Sequence, residues 1–341
     1  MSLTVNINQA RELMIHLIHA RLVPNLIGSP AIGKSSICHS IAEEYDLKVI
    51  DIRLAQCDPT DLLGFPNINR ESYKAEYAPM STFPLEGDEL PKDCNGWLLF
   101  LDEFNSADRA VQKAAYKLIL DRMIGEYKLH PKVAIICAGN LETDNAIVEE
   151  MSTALQSRLV HLELTVDQNI WIDWASENGI DHRITSFIKF KPGNLYSFNP
   201  NHTDRTYASP RTWEFANRII KQMGLEDPLL PTALAGTISE GVAREFIGFC
   251  KIYKQLPTIS DIIRQGDSIN VPDEPSILYA LTGSISHHAN SDNIAELMAF
   301  VRRIPIEFQV VCLREIVRRS KILLRNPAIT AWITENATEL F

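Results

Sequence analysis

The sequence predicts an α/β domain built on a parallel sheet, followed by an all-helical region, and three observations predict it. Short apolar runs alternate with helical patterns through the first half of the chain, as they do when crossover helices join parallel strands. Near Val166 the alternation stops and helical periodicity takes over. With 341 residues, 45% hydrophobic and 22% charged, the chain has the composition and length of a packed globular protein of more than one domain.

Taken in order, strands are expected at 22–27, 48–54, 97–102, 133–138 and 159–164. A helix over 34–45 follows the first strand, with Ile37 and Ile41 one turn apart. Residues 64–94 break the rhythm. They are rich in Pro, Gly, Asn and Ser and carry the alternating Tyr73-Lys-Ala-Glu-Tyr77, which reads as a loop or small hairpin inserted after a helix. The helix over 107–123 puts Val111, Ala114, Ala115, Leu118 and Ile119 on one face. Beyond the fifth strand, helical segments are expected at 169–178, 210–223, 242–253, 276–288, 294–302 and 305–319, with a Gly/Asn/Pro-rich connection over 191–209. The expected division is a core over 1–165 with its insertion near 64–94, a helical domain over 166–225, and a C-terminal helical region over 226–341.

Charge and composition exclude several function classes. Lys and Arg number 33 against 43 Asp and Glu, a net charge of −10, so a dedicated duplex-DNA coat is disfavoured and any bound anion must be held by a local site. The start lacks a basic segment followed by an apolar one, so no signal peptide is expected. The longest apolar run, 97–101, is strand-sized and far short of the about 18 residues of a membrane span. The six cysteines are scattered without a C-x-x-C pair and read as reduced, mostly buried thiols rather than a disulfide frame or zinc site, which points to a cytoplasmic location. His16 and His19 lack a third ligand and read as packing or solvated residues. Adjacent His287 and His288 are expected on different helix faces, and the Arg302-Arg303 and Arg318-Arg319 pairs on solvated ones.

One stretch carries a strong chemical signal. Gly28-Ser29-Pro30-Ala31-Ile32-Gly33-Lys34-Ser35 matches G-x-x-x-x-G-K-[ST] at every fixed position, between an expected strand and an expected helix, and Ser36 continues it. Gly28 and Gly33 allow the tight turn that aims successive N–H groups at a phosphate, and the helix from Lys34 adds its positive dipole end. Lys34 would neutralise the outer phosphates and Ser35 would ligate Mg²⁺. The plain alternative is an ordinary turn.

Two further strand ends complete the candidate site. The apolar run 97–101 closes on Asp102 and Glu103, at the sheet edge where ligands of open α/β folds sit. Asp102 would hold Mg²⁺ through water, and Glu103 would act as general base on the attacking water. Taken alone, the two acids also fit a solvated strand end. The next strand leads to Asn140, placed to reach the γ-phosphate or that water; a turn Asn after Gly139 is the alternative.

These motifs resemble the AAA+ ATPases among the P-loop NTPases, and within them the MoxR-like group. Residues 28–35 resemble Walker A, 98–103 Walker B, and Ala138-Gly-Asn140 sensor 1. Thr153-Ala-Leu-Gln-Ser-Arg158 resembles the arginine-finger segment, Ser209-Pro-Arg211-Thr-Trp213 resembles sensor 2, and Asp102-Glu-Phe-Asn105 with Ala110-Val-Gln112 the helix after Walker B. The likeness covers about residues 5–218 and continues weakly to the C-terminus. It implies an αβα sandwich with a five-stranded parallel sheet of order 5-1-4-3-2, then an all-helical lid and C-terminal helices. It also implies ATP and Mg²⁺ as ligands, a pore-lining insertion at 64–80, and a homo-oligomeric, hexameric ring. Arg158 would enter the neighbouring subunit's site, and Arg211 would reach the γ-phosphate from the lid. An arginine at a helix C-terminus and a helix start at Ser-Pro-Arg are the respective alternatives.

The family often works with von Willebrand factor A-type partners, so a chaperone-like ATPase that remodels or matures a partner protein is the first functional reading. A motor or loader acting on nucleic acid is the alternative, disfavoured by the acidic balance and the lack of a stacking platform. A nucleotide-gated scaffold without turnover fits poorly with an intact Glu103. Two departures stand out. Ala31 occupies a position where many relatives have glycine and is expected to avoid positive φ. Asn105 is followed by Ser106 where relatives often have arginine, with Arg109 as the substitute.

Overall fold

A computed structural model describes residues 4–71, 73–144, 151–201 and 203–336. The chain divides into two compact units, Met1–Asp167 with Asn199–Asn201, and Gln168–Phe198 with His202–Phe341.

The first unit runs β1 (Thr4–Val5), α1 (Ile7–His19), β2 (Val23–Ile27), α2 (Lys34–Glu44), β3 (Leu47–Arg53), α3 (Pro59–Leu63), β4 (Phe65–Ile68), β5 (Ala75–Ala78) and β6 (Gly96–Asp102). It continues with α4 (Arg109–Leu120), β7 (Met123–Ile124), β8 (Tyr127–Lys128), β9 (Val133–Gly139), α5 (Thr153–Gln156) and β10 (Leu159–Leu164). The main sheet has the order β1-β10-β2-β9-β6-β3, and every pairing in it is parallel. The five expected strands thus stand in the expected order 5-1-4-3-2. The sheet has six strands rather than five, because Thr4 and Val5 pair with Glu163 and Leu164 at its outer edge. Two residues are too few to carry a periodicity.

Burial explains why the central strands were legible. Gly96–Leu101 of β6 is buried throughout, since parallel strands covered on both faces read as continuous apolar runs. Leu99, Leu101, Ile135 and Cys137 pack with Leu118 and Ile119 of α4 and with Phe104 in one core. All five residues expected on the inner face of α4 are buried. The helix ends at Leu120 instead of running to 123, because Arg122 takes a left-handed φ of 53° that turns the chain into β7. The insertion is a small antiparallel hairpin, β4 with β5, following α3, and all eight of its paired residues are exposed.

The second unit is helical: α6 (Gln168–Glu177), α7 (His182–Phe190), α8 (Pro210–Met223), α9 (Leu230–Ile238), α10 (Glu240–Tyr253), α11 (Ile259–Gln265), α12 (Pro275–His288), α13 (Ile294–Val301), α14 (Ile306–Arg319) and α15 (Pro327–Glu335). Phe187 packs against Trp213 and Phe246 with ring centroids 5.8 and 5.4 Å away. Leu281, Phe300, Leu313 and Trp332 belong to a further cluster. Arg302 and Arg303 are exposed, as expected, with Arg302 paired to Glu335 and Arg303 donating to the carbonyls of Gly266 and Ile269, whereas Arg318 and Arg319 are half-buried and Arg318 pairs with Asp173 at 2.6 Å. The rings of the neighbouring His287 and His288 lie edge to face at 4.8 Å, and His182 stacks on His287 at 4.3 Å.

Among the described residues no helix is long and apolar enough to cross a membrane. All six cysteines are free thiols.

Candidate functional site

The loop over 28–33 begins where the β2–β9 ladder ends. Ile27 pairs with Gly139, and the Gly28 N–H donates to the Gly139 carbonyl at 3.2 Å. Close packing demands glycine at 28: a Cβ there would lie 2.7 Å from Ile32 Cδ1 and 3.0 Å from the Leu164 carbonyl oxygen. Ile32 is buried and anchors the loop from beneath. Gly33 has a φ of 107°. Ala31 departs from expectation, since it too is left-handed, with a φ of 64°. The curl of the loop imposes that conformation, and a methyl side chain tolerates it at a cost of about 1–2 kcal/mol. With Gly33 as its N-cap, α2 starts without a side-chain cap, so no side chain competes for the donors of its first turn.

Three strand ends converge on this loop. Lys34 is buried, and its Nζ donates to the carbonyls of Gly28 at 2.5 Å and Ser29 at 2.9 Å and to Asn140 Oδ1 at 3.1 Å. Ser35 Oγ donates to Asp102 Oδ2 at 3.3 Å. The other carboxylate oxygen of Asp102 accepts the Glu103 N–H at 2.8 Å. Glu103 is left-handed, with φ 55° and ψ 33°, and turns the chain off the strand into a short 3₁₀ turn, Phe104–Ser106. Phe104 is fully buried and fixes that turn to the core. A hydroxyl beside a carboxylate is a hard-oxygen donor set of the kind Mg²⁺ takes, and a buried ammonium between two loop carbonyls and an amide suits a polyphosphate. The residues present fit both ligands.

Electrostatics adds members the sequence did not single out. Arg53 on β3 stands in register with Asp102. Asp51, two residues earlier, has its carboxyl pushed above the usual range by burial and then by Asp102, against the opposing pull of Arg53 and His39. Burial, with Asp102 and Asp51 behind it, pushes the Cys38 thiol well up. Asn105 was noted only as part of a motif. It is buried, and its amide bonds the backbone of Asn140 at both ends: Nδ2 donates to the Asn140 carbonyl at 2.7 Å, and Oδ1 accepts the Asn140 N–H at 2.9 Å.

The two expected site arginines belong to other elements. Arg158 is exposed just beyond α5, where Nη1 donates to the Ala154 carbonyl at 2.8 Å and the guanidinium lies 5.4 Å from the Tyr116 ring centroid. Arg211 is exposed in the first turn of α8 in the second unit. That helix opens on a capping box of Ser209 with Thr212 and has Pro210 in its first turn.

No protein-family model matches the chain, and no curated protein matches it. Among solved structures, a mutant form of RuvB from Thermotoga maritima is similar at 17% identity and a TM-score of 0.41, over 85% of this chain and 84% of that one. The Thermotoga maritima RuvB Holliday junction branch migration motor is similar at 18% identity and a TM-score of 0.39, over 85% and 83%. At that degree of likeness neither structure bears on the role of any residue here.

Proposed function

We propose that the chain is an AAA+ ATPase of the MoxR-like kind, which hydrolyses ATP with Mg²⁺ in a homo-oligomeric ring to remodel or mature a partner protein. One observation carries the reading: Lys34 is bonded at once to its own loop and to Asn140, while the adjacent Ser35 meets Asp102, so three separate strand ends serve one point.

In this reading the loop over 28–33 and the first turn of α2, including Ser36, surround the phosphates with N–H groups, and Lys34 offsets their charge. Ser35 and Asp102 would hold Mg²⁺, which when bound neutralises charge on the β- and γ-phosphates. Glu103 orients a water and takes its proton as the new O–P bond forms and the bond to the β–γ bridging oxygen breaks, leaving ADP and phosphate. Asn140 directs its amide to the γ-phosphate or that water. Arg158 serves a neighbouring subunit's site and Arg211 acts from the helical unit, which makes turnover dependent on assembly into a hexamer. A von Willebrand factor A-type protein is the proposed partner, and the net charge of −10 favours a protein client over nucleic acid.

Steady-state hydrolysis of ATP tests the reading. Wild-type protein is expected to release phosphate only with Mg²⁺ present, and Glu103→Gln to bind ATP while losing about 10²–10⁴-fold in rate. Normal turnover by Glu103→Gln would remove Glu103 from its role.

A further inference from the structure

We propose that Asn105 is a positioning residue that locks Asn140 to the turn bearing Glu103, so that the hydrolytic carboxylate and the phosphate-facing amide hold one fixed geometry. The inference rests on the ATPase reading and extends it to a residue outside the candidate catalytic and ligand-holding set.

The sheet comes apart beside Asn140. β6 and β9 pair up to Leu101 and Cys137. One residue beyond Asp102 the left-handed Glu103 takes β6 off the ladder, while β9 runs on to Gly139 and Asn140 follows it. The Asn140 backbone therefore has no strand on that side to receive its N–H and C=O. An asparagine side chain presents amide N–H donors and a carbonyl acceptor in one plane, as a peptide group does, so it can stand in for the missing strand. Asn105 does so, with bonds of 2.7 and 2.9 Å to the two backbone groups of Asn140.

Three further observations make this a coupling rather than a local repair. Asn105 belongs to the Phe104–Ser106 turn, which the fully buried Phe104 and the Ser106 N–H bond to the Glu103 carbonyl at 3.0 Å tie to Glu103. On the far side, Asn140 Oδ1 accepts from Lys34. Between them, Gly139 leaves the space that the Asn105 amide fills, since a Cβ at 139 would fall 2.4 Å from Asn105 Oδ1. A continuous chain of contacts thus runs from the Glu103 turn through Asn105 and Asn140 to Lys34. Rotating the Asn140 backbone would break two half-buried hydrogen bonds, so its side chain is pre-aimed rather than free to search.

A double-mutant cycle in the full-length protein tests the assignment. Asn105→Ala is expected to lower kcat for ATP at least tenfold while the dissociation constant for Mg·ATP stays within about threefold. Because Asn105 acts through Asn140, the double variant Asn105→Ala/Asn140→Ala should be no slower than Asn140→Ala alone. If the two losses multiply instead, Asn105 acts by another route and the proposal fails. A second readout needs no turnover: in nucleotide-free protein, hydrogen exchange at the Asn140 amide should quicken at least tenfold in Asn105→Ala. Unchanged exchange would overturn the proposal. Should Asn105→Ala not fold, the isosteric Asn105→Asp turns a carboxylate toward the Asn140 carbonyl and is expected to lose kcat likewise; wild-type kcat would refute the idea. If wild-type protein turned over no ATP, the ATPase reading would fall, and the exchange measurement would still decide whether Asn105 holds Asn140.

Discussion

Substituting Gly139 with alanine perturbs the packing behind the candidate site with a cost that can be worked from distances. The new Cβ would sit 2.4 Å from Asn105 Oδ1 and 2.8 Å from its Cγ, where ordinary contacts begin at 3.4 Å. The amide must therefore withdraw by about 1 Å. Its bonds to Asn140, now 2.7 and 2.9 Å, would pass beyond hydrogen-bonding reach. Leaving a buried polar group unpaired costs about 1–3 kcal/mol, and these two backbone groups are only half-buried, so at about 1–2 kcal/mol each Gly139→Ala should destabilise the sheet unit by about 2–4 kcal/mol. Urea unfolding followed by circular dichroism reads the shift, and single-turnover hydrolysis should slow at least tenfold. The effect is specific to the clash. In an Asn105→Ala background the obstructing amide is gone, and Gly139→Ala should cost under about 1 kcal/mol more. Wild-type stability and wild-type turnover in Gly139→Ala would show that the amide moves freely and would refute the packing argument.

Other expectations concern more distant parts of the chain. Arg158→Ala should bind ATP as wild type does yet hydrolyse it poorly, and mixing it with Lys34→Ala subunits should restore some complete sites; full activity from a monomer would refute site sharing. Burial pushes the His182 imidazole down to about 3, with Asp181 opposing and His287, Arg183 and Arg319 reinforcing the shift. A folded value below the unfolded one, about 6.5, means the unfolded chain takes up the proton first, so stability falls as pH drops below about 6.5. Between pH 7 and 5 this should remove about 1–2 kcal/mol from the helical unit, a loss that His182→Gln should lack. Tryptophan fluorescence during urea unfolding can read it, because Trp171, Trp174, Trp213 and Trp332 all lie in that unit; equal pH dependence in both proteins would contradict the assignment. Ala31→Gly should change stability by less than about 1 kcal/mol, since relief of the left-handed strain is offset by unfolded-state entropy.

What the sequence revealed follows from the range over which each signal acts. β6 was legible because burial on both faces leaves an uninterrupted apolar run that closes on Asp102. The meeting of Lys34 with Asn140 follows from a loop motif combined with a strand order. β1 was not legible, because a two-residue edge strand has no period and exists only through its pairing with β10. The left-handed Ala31 was also hidden: local preference argues against it, and the closed loop overrides that preference. Asn105 escaped for a different reason. Its partner lies 35 residues further on, and only the splaying of β6 from β9 creates the need for its amide. The partners of the helical unit's arginines show the same limit, since a charged pair at a helix end gives no sign of the carboxylates and carbonyls that other segments bring to it.

Equilibrium titration of the wild-type chain and of Lys34→Ala with ATP and AMP, in the presence of Mg²⁺, tests most directly whether the turn after β2 grips terminal phosphates. Wild-type protein should prefer ATP over AMP by about a hundredfold or more, the value of two charge-assisted hydrogen bonds, and Lys34→Ala should lose that preference. Undiminished ATP affinity in Lys34→Ala would contradict the account at its base.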